Sequence, residues 1–219
     1  MANLYDSKDK SYYAHVRNDI ICMIPGTGHK ILEIGCGCGA TLIELKKTGI
    51  ASEVVGIEIN PHTIRHNEAL LDKTIVGNIE TMELEFPENY FDIIIMADVL
   101  EHLVNPWEVL KKVKRYLSKS GYIVTSVPNI REFSTMKTIF LKGDFRYEEA
   151  GIMDKTHLRF FCKKNIMELL SKDYDIERVE TFPELKIGKK ALLNRLTFRK
   201  LEEFLVIQYI CLAKYKKEN

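Results

Sequence analysis

The 219-residue chain is predicted to be an α/β protein with a doubly wound, mostly parallel sheet, an antiparallel last strand and helices on both faces. Two observations predict this class. Continuous apolar segments such as Phe91–Ala97 alternate along the chain with segments of helical periodicity. Strands of a parallel sheet that are covered on both faces are continuous apolar runs of this kind. A glycine-rich turn also follows the first apolar segment, as in Rossmann-like folds.

The elements can be assigned in order from periodicity and from start and stop signals. Asn60-Pro61 and Asn105-Pro106 are strong helix starts, because Asn is a good N-cap and Pro fits the first helical position. Glu108 stands where the acid of a capping box belongs. The predicted strands cover 30–34, 54–59, 74–76, 91–97, 122–127, 175–179 and 204–213. The predicted helices cover 10–23, 40–47, 60–71, 105–117, 132–141, 164–170 and 189–203, and the last of these is expected to be amphipathic.

Composition and charge exclude several classes of function. Lys and Arg total 32 and Asp and Glu total 31, for a net charge of +1, which gives no general electrostatic case for binding nucleic acid. No segment has the ~18 consecutive apolar residues that a membrane span needs. The five cysteines are odd in number and scattered, which favours reduced thiols and a cytoplasmic location.

The most informative segment is Ile-Leu-Glu-Ile-Gly-Cys-Gly-Cys-Gly at 31–39. Its three glycines at alternate positions let the backbone approach a ligand closely. Glu33 precedes the first glycine and should point towards that ligand. A dinucleotide would bring a pyrophosphate there, which the carboxylate would repel, whereas a cationic group would be attracted. S-adenosylmethionine carries an ammonium and a sulfonium, so it suits this loop better than NAD does.

Polar residues also follow the other predicted strands. Glu58 lies about 20 residues beyond the loop, the usual place for an acid that accepts from ribose hydroxyls. Gly-Asn-Ile-Glu follows the third strand at 77–80, and Asp-Val-Leu-Glu-His follows the fourth at 98–102. Because the carboxyl ends of parallel strands meet at one edge of a sheet, these groups should border one crevice.

In this order and spacing, the motifs resemble those of class I S-adenosylmethionine-dependent methyltransferases over nearly the whole chain. The resemblance implies S-adenosylmethionine as cofactor and S-adenosylhomocysteine as product. Asn78 replaces the Asp that is usual in the adenine-contacting turn. The cofactor-binding residues implied by the resemblance are Tyr13, Arg17, Glu33, Gly35, Cys36, Gly37, Glu58, Ile59, Asn78, Ile79 and Asp98.

The resemblance also implies one methyltransferase domain over 1–219. Residues 1–28 would form an N-terminal helix in which Tyr12, Tyr13 and Arg17 either fold over the cofactor as a lid or, for the tyrosines, pack in the core. Residues 29–128 would bind the cofactor, 129–165 would cover the substrate, and 166–219 would supply C-terminal helices and strands.

A narrower resemblance concerns the acceptor. The segments at 12–17, 98–102, 127–129 and 154–161 resemble methyltransferases of bacterial surface-glycan biosynthesis, and they are also similar to quinone and other small-molecule O-methyltransferases. This implies a small-molecule or sugar-linked acceptor that is methylated at a hydroxyl or an amine. Asn129, Arg131 and Arg159 are candidate substrate contacts, and because arginine suits phosphate, the acceptor is expected to be anionic.

A hydroxyl acceptor must lose its proton, which favours a nearby base with a pKa near neutral. His102 is the first candidate, and its alternative is a packing or capping role in the turn. His157 is the second, with Asp154 placed to orient its ring; alternatively, Asp154 and Arg159 pair in a structural turn. Asp98 is expected to face the methionine end of the cofactor or the acceptor, or else to cap the turn after the fourth strand.

No metal site is predicted. Cys36 and Cys38 lack the companion ligands that a zinc site needs, and His62 and His66 lack a third ligand. Two other functions stay open. The segment 35–40 formally satisfies Gly-x-Gly-x-x-Gly/Ala, as in an NAD-dependent oxidoreductase. A non-catalytic cofactor-binding protein of the same fold is the other alternative. The sequence does not indicate an oligomeric state.

Overall fold

A computed structural model describes residues 15–64, 67–185 and 188–217. Within them, seven strands form one sheet in the order β3-β2-β1-β4-β5-β7-β6. The strands are β1 His29–Ile34, β2 Ala51–Glu58, β3 Lys73–Val76, β4 Phe91–Ala97, β5 Leu117–Pro128, β6 Tyr174–Phe182 and β7 Gln208–Tyr215. The helices are Asn18–Ile21, Ala40–Lys47, Pro61–Ile64, Pro106–Lys114, Phe133–Lys142, Lys163–Ser171, Lys189–Leu196 and Glu202–Leu205. Two 3₁₀ turns cover Glu68–Leu70 and Leu100–His102.

The sheet confirms the predicted fold class. The first five strands are parallel, and β7 is antiparallel to both β5 and β6. Successive residues of the apolar strands join different cores: Leu32 and Ile94 pack in one cluster, whereas Ile31 and Ile93 pack in the other. Apolar side chains are therefore needed on both faces, which explains why these strands are continuous apolar runs and not alternating ones.

Several predicted boundaries were wrong, each for a local reason. The helix expected over 60–71 covers only Pro61–Ile64 before the 3₁₀ turn, although residues 65–66 lie outside the described ones. The helix expected to reach 117 ends at Lys114, because Leu117 already pairs with Phe91 in the sheet.

The C-terminal prediction also needs correction. The helix expected over 189–203 is interrupted by Phe198 and Arg199, which both have positive φ. The side predicted to be apolar and packed is exposed, with Leu196 at 68 % exposure. The last strand begins at Gln208 and not at 204, since residues 202–205 are helical. Of the helix expected over 10–23, the described part is helical at Asn18–Ile21.

The helix start at Asn105 is confirmed, with one correction. The Asn105 side chain accepts a hydrogen bond from the backbone N–H of Glu108, and Pro106 takes the first helical position. The backbone N–H of Asn105, however, donates to Glu80 Oε1 at 2.8 Å. The acid that completes the cap thus comes from the loop after β3, and the helix is tied to the edge of the sheet where β3 ends.

All five cysteines are free thiols. None of the described helices is long and apolar enough to cross a bilayer.

Candidate active site

A cavity of about 520 Å³ opens where β1, β2, β3 and β4 end. It lies beside the boundary between β1 and β4, where the strand order changes direction, and doubly wound sheets bind ligands at such a point. The structure brings ten of the predicted cofactor-binding residues to its lining, and Tyr13 lies outside the described residues. The ten are Arg17, Glu33, Gly35, Cys36, Gly37, Glu58, Ile59, Asn78, Ile79 and Asp98.

Glu33 is the most deeply buried acid among the described lining residues. Its side chain is 4 % exposed, and its Oε2 atom has no hydrogen-bond partner among the described residues. Burial raises the pKa of Glu33 to about 8, while the Arg17 guanidinium opposes this shift and Glu58 adds to it. An unpartnered buried carboxylate is costly to ionise. The site is therefore suited to a ligand that brings a positive charge to Glu33.

Glu58 holds the glycine loop against β2. Its Oε2 atom accepts from the backbone N–H of Gly37 at 3.0 Å, and its Oε1 atom accepts from the backbone N–H of Asn60 at 3.0 Å. Burial raises the pKa of Glu58, although these two amides favour the ionised form. The acid that was predicted to accept from ribose thus also fixes the loop that lines the cavity.

Glycine is required in the loop for two physical reasons. Gly35 and Gly37 have φ of 71° and 55°, in the left-handed region that residues with a Cβ rarely adopt. A Cβ on Gly35 would also lie 2.7 Å from Cγ2 of Val99. The Cys36 thiol next to them is buried, and burial raises its pKa. Cys36 is accordingly a packed thiol.

Asn78 lines the cavity and shapes the turn after β3. Its Oδ1 atom accepts from the backbone N–H of Glu80 at 2.9 Å. This local bond closes the 77–80 turn, so the side-chain oxygen of Asn78 acts in the turn itself.

The carboxylate of Asp98 connects the cavity to segments that are far apart in the sequence. Its carboxylate accepts from Arg17, from Gln208 and, at 3.1 Å, from the Ser126 hydroxyl. Its φ of 55° is left-handed, a conformation that Asp tolerates better than most residues. Asp98 therefore lines the cavity, and its carboxylate connects the turn after β4 to Arg17, β5 and β7. That Asp98 faces the cofactor or the acceptor stays a prediction.

His102 also lines the cavity, and the segment after β5 brings His157 beside it. Their ring centroids are 4.8 Å apart and the rings meet edge to face. His102 Nδ1 lies 3.1 Å from the carbonyl oxygen of Thr156, and His157 Nδ1 lies 3.0 Å from that of Ile152. Because a carbonyl oxygen only accepts, Nδ1 carries the proton in both hydrogen bonds. In a neutral ring, the lone pair is then on Nε2.

Asp154 is buried in the segment that carries His157, and its role in orienting that ring stays a prediction. The Asp154 carboxylate accepts from the backbone N–H and the hydroxyl of Thr156, at 2.8 and 2.6 Å. The Ile152 carbonyl oxygen is one partner of the His157 ring. Arg159, the other predicted partner of Asp154, donates to the Val104 carbonyl oxygen.

The three predicted substrate contacts are outside the cavity lining. Asn129 is fully buried, and its Nδ2 donates to the carbonyls of Glu203 and Val206 at 2.6 and 2.8 Å. Asn129 is thus a structural tie between β5 and the C-terminal segment. Arg131 forms an ion pair of 2.8 Å with Glu203. Arg159 lies over the Trp107 ring, 5.8 Å from its centroid.

Sequence reasoning missed three residues of this region. His15 lines the cavity, Gln208 binds Asp98, and Glu101 lies buried below the two histidines with 1 % exposure. Of these three residues, only Glu101 could have been found from the sequence, because it lies in the Asp-Val-Leu-Glu-His segment that follows the fourth strand. No role was predicted for it. Gln208 could not be found, because the pairing of β7 with β5 brings it to the site from 110 residues away.

The electrostatics of the lining disfavour a diphosphate. Among the described lining residues, four are acidic, namely Glu33, Glu58, Glu80 and Asp98, and Arg17 is the only Lys or Arg. A dinucleotide pyrophosphate would meet carboxylates where a Rossmann dehydrogenase presents amide donors. The same carboxylates would attract a ligand with a cationic tail.

Comparison with known proteins identifies the family to which this chain belongs. The sequence profile described as "Methyltransferase domain" matches residues 5–180, and the chain therefore belongs to this methyltransferase family. Its fold is that of a solved S-adenosylmethionine-dependent methyltransferase from Archaeoglobus fulgidus, at a TM-score of 0.64 and 22 % identity, covering 94 % of this chain and 92 % of that one.

Two curated relatives are similar in sequence over part of their length. The demethylmenaquinone methyltransferase of Staphylococcus aureus (strain MRSA252) is 29 % identical over 122 residues, covering 52 % of this chain and 51 % of the relative. An uncharacterized methyltransferase of Schizosaccharomyces pombe is 32 % identical over 105 residues, covering 43 % of this chain and 38 % of the relative. The chain spans about half the length of the first curated relatives that it matches.

Family membership gives S-adenosylmethionine as the cofactor, and the residues present fit it. The orphaned carboxylate oxygen of Glu33 offers a buried partner for an ammonium group. The left-handed glycines leave the backbone of the loop open to close approach. Ile59 and Ile79 supply apolar lining near the ends of β2 and β3, as an adenine ring requires.

Proposed function

We propose that this protein is an S-adenosylmethionine-dependent methyltransferase that methylates a hydroxyl group of a small-molecule or sugar-linked acceptor. The observation that carries the proposal is the buried Glu33 carboxylate at the mouth of the glycine loop, whose Oε2 atom has no hydrogen-bond partner among the described residues. It supports a cationic amino-acid tail as the bound group. His102, which lines the same cavity, supports chemistry at a protic acceptor.

The bound cofactor supplies a methyl group on a cationic sulfur, and transfer to a hydroxyl forms the C–O bond, breaks the C–S bond and releases the hydroxyl proton. The chain's own residues align the reactants, and alignment provides much of the rate. Glu58 holds the loop. As the family resemblance implies, Glu33 would bind the ammonium, Glu58 would accept from the ribose, and Asn78 and Ile79 would border the adenine.

His102 is the candidate general base. Its Nδ1 donates to the Thr156 carbonyl, so in the neutral ring Nε2 is the nitrogen that accepts a proton. His102 lines the cavity, as Asp98 does, and the family resemblance implies that the sulfonium would lie near this turn. A positioned imidazole contributes about 10²–10⁴-fold to proton transfer.

The segment after β5 supports an acceptor with an aromatic or carbohydrate face. Phe145 and Tyr147 are about half exposed, and their ring centroids lie 5.8 and 6.1 Å from that of Phe160. Phe160 in turn lies 6.4 Å from His157. A flat acceptor could stack on these rings. A sugar and a quinone of the kind named for the Staphylococcus aureus relative are both compatible with this surface.

The test is to incubate the protein with methyl-labelled S-adenosylmethionine and fractionated metabolites, and to identify the labelled product. We expect a methyl ether. His102→Ala should reduce transfer by about 10²–10⁴-fold while leaving the dissociation constant of S-adenosylhomocysteine unchanged, and His62→Ala, at an exposed position, serves as control. Tight cofactor binding without transfer to any fraction would favour the non-catalytic alternative. Normal turnover in both His102→Ala and His157→Ala would exclude an imidazole base.

A further inference from the structure

We propose that Glu101, His102 and His157 form a binding site for a divalent transition-metal ion such as zinc, next to the cofactor cavity. One ligand atom from each of the three residues can be chosen so that all lie within 4.8 Å of one another. Coordination at the usual ~2.0–2.1 Å to nitrogen places tetrahedral ligands about 3.4 Å apart. Side-chain movements of about 1 Å would therefore close the site around an ion.

The two histidines are arranged as metal ligands usually are. Each ring donates Nδ1–H to a backbone carbonyl oxygen, that of Thr156 for His102 and that of Ile152 for His157. Metal-binding histidines almost always donate their other ring N–H to a carboxylate, a carbonyl or water, which fixes the tautomer and the ring orientation. Nε2 is then the ligand atom in both rings, and the rings already approach to 4.8 Å between centroids.

The carboxylate of Glu101 provides the independent observation. Both of its oxygens are buried, and neither has a hydrogen-bond partner among the described residues. Glu101 is 1 % exposed, and the carboxylates of Asp98 and Asp154 are near enough to interact with it. A buried acid next to further acids is costly unless a cation compensates it. An ion at this point would supply that compensation.

The backbone holds the three ligands in place from two separate segments. The carbonyl oxygen of Glu101 accepts from the backbone N–H groups of Leu158 and Arg159, at 2.8 and 3.0 Å. This pins the 152–161 segment onto the 3₁₀ turn after β4 and sets His157 beside His102. Asp98 is not expected to be a ligand, since Arg17, Ser126 and Gln208 bind its carboxylate.

The ligand set selects the class of ion. Two imidazole nitrogens and one carboxylate suit zinc and related transition metals, whereas magnesium and calcium prefer oxygen ligands. Three protein ligands leave a coordination position open, as in catalytic zinc sites. Because His102 also lines the cavity, that position would face the acceptor side.

A metal ion at Glu101, His102 and His157 would deepen the proposed function. Only its catalytic consequence, and not the binding of the ion, rests on that proposed function. A cation here would lower the pKa of an acceptor hydroxyl, and His102 would act as a ligand in place of a general base. The acceptor class then narrows to molecules whose hydroxyl can reach a metal ion.

The experiment measures metal binding directly, without an acceptor. The full chain is stripped with a chelator and titrated with Zn²⁺ by calorimetry, and with Co²⁺ while its visible ligand-field absorption is recorded. We expect one equivalent of either ion to bind, and Mg²⁺ at the same concentration not to compete. Glu101→Gln and His157→Ala should each weaken Zn²⁺ binding by more than about 100-fold, beyond what loss of a supporting hydrogen bond costs.

Two controls keep the test decisive. His62→Ala removes an exposed imidazole and should bind Zn²⁺ as the unaltered protein does. Binding of S-adenosylhomocysteine shows that each variant is folded and tests the cofactor assignment separately. The proposal is overturned if the unaltered chain binds neither Zn²⁺ nor Co²⁺, or if Glu101→Gln and His157→Ala bind Zn²⁺ with unchanged affinity. If Glu101→Gln fails to fold, the His157→Ala titration decides.

Discussion

Cofactor binding should release a proton, because Glu33 has to ionise before it can pair with an ammonium group. In the unligated protein, burial holds the pKa of Glu33 at about 8, so near pH 7 the carboxyl is mostly protonated. The perturbation that tests this is Glu33→Gln, which keeps the size of the side chain and removes its titration. S-adenosylhomocysteine is the suitable ligand, since it carries the amino-acid tail without a reactive methyl group.

The number of protons released on binding follows from the protonation of two groups, Glu33 and the α-amino group of the ligand. With a pKa of about 8, Glu33 holds ~0.9 proton at pH 7 and loses it on binding. An α-amino group with an ordinary pKa of ~7.8 is already ~0.9 protonated and takes up ~0.1. The net release is about 0.8 proton per molecule bound. Affinity should therefore weaken as the pH falls from 8 to 6 and also as it rises above 8, where the ammonium is lost.

Calorimetric titrations at pH 7 in buffers of different ionisation enthalpy measure this number as the slope of observed enthalpy against buffer enthalpy. We expect a slope of about 0.8 for the unaltered protein, and a small slope of opposite sign, about 0.1, for Glu33→Gln. Glu80→Gln is the matched control, because Glu80 lines the same cavity and should retain the original slope. Equal slopes for the unaltered protein and Glu33→Gln would refute the assignment of Glu33 as the ammonium partner.

Further predictions concern stability and can be checked by urea unfolding. Gly35→Ala should cost more than Gly28→Ala: both positions are left-handed, at ~1–2 kcal/mol for a residue with a Cβ, but only the Cβ at Gly35 meets a neighbour, Val99, at 2.7 Å. Equal losses would contradict the packing argument. Asn105→Ala should cost ~1 kcal/mol through loss of its cap, and an unchanged midpoint would contradict it. Because the folded pKa of Glu33 lies above its unfolded value, this group should lower the stability of the unligated protein as pH rises from 5 to 8, by up to ~1.4 kcal/mol per pH unit. Glu33→Gln should make the pH dependence of stability shallower, and the part that comes from Glu58 and Glu101, whose pKa values burial also raises, should remain. A parallel pH profile for the variant would argue against a raised pKa.

The part of the site built from strand ends was predictable from the sequence. Glu33, Gly35 and Glu58 directly follow or end apolar strands, and parallel strands bring their carboxyl ends to one edge whatever the details of packing. For this reason short local motifs were sufficient to find most of the cavity lining.

The remaining contacts depend on packing between distant segments. The sequence could not indicate that Asn129 satisfies two buried carbonyls, because those carbonyls come from 203 and 206. It gave no reason to join Glu101 to His157, whose proximity depends on the path of the chain after β5. The helix expected over 189–203 was wrong for a similar reason, since periodicity does not report a left-handed break such as Phe198.

The hydrogen bonds at Asp98 connect residues 17, 98 and 208, and Arg17 also contacts Gln208 at 3.4 Å. This carboxylate therefore receives its partners only after both the earliest described segment and the final strand have docked. A fragment that ends before β7 would carry every glycine-loop residue and still present an incomplete crevice. Ligand affinity in this protein should consequently report on assembly of the entire chain and not on the first five strands alone.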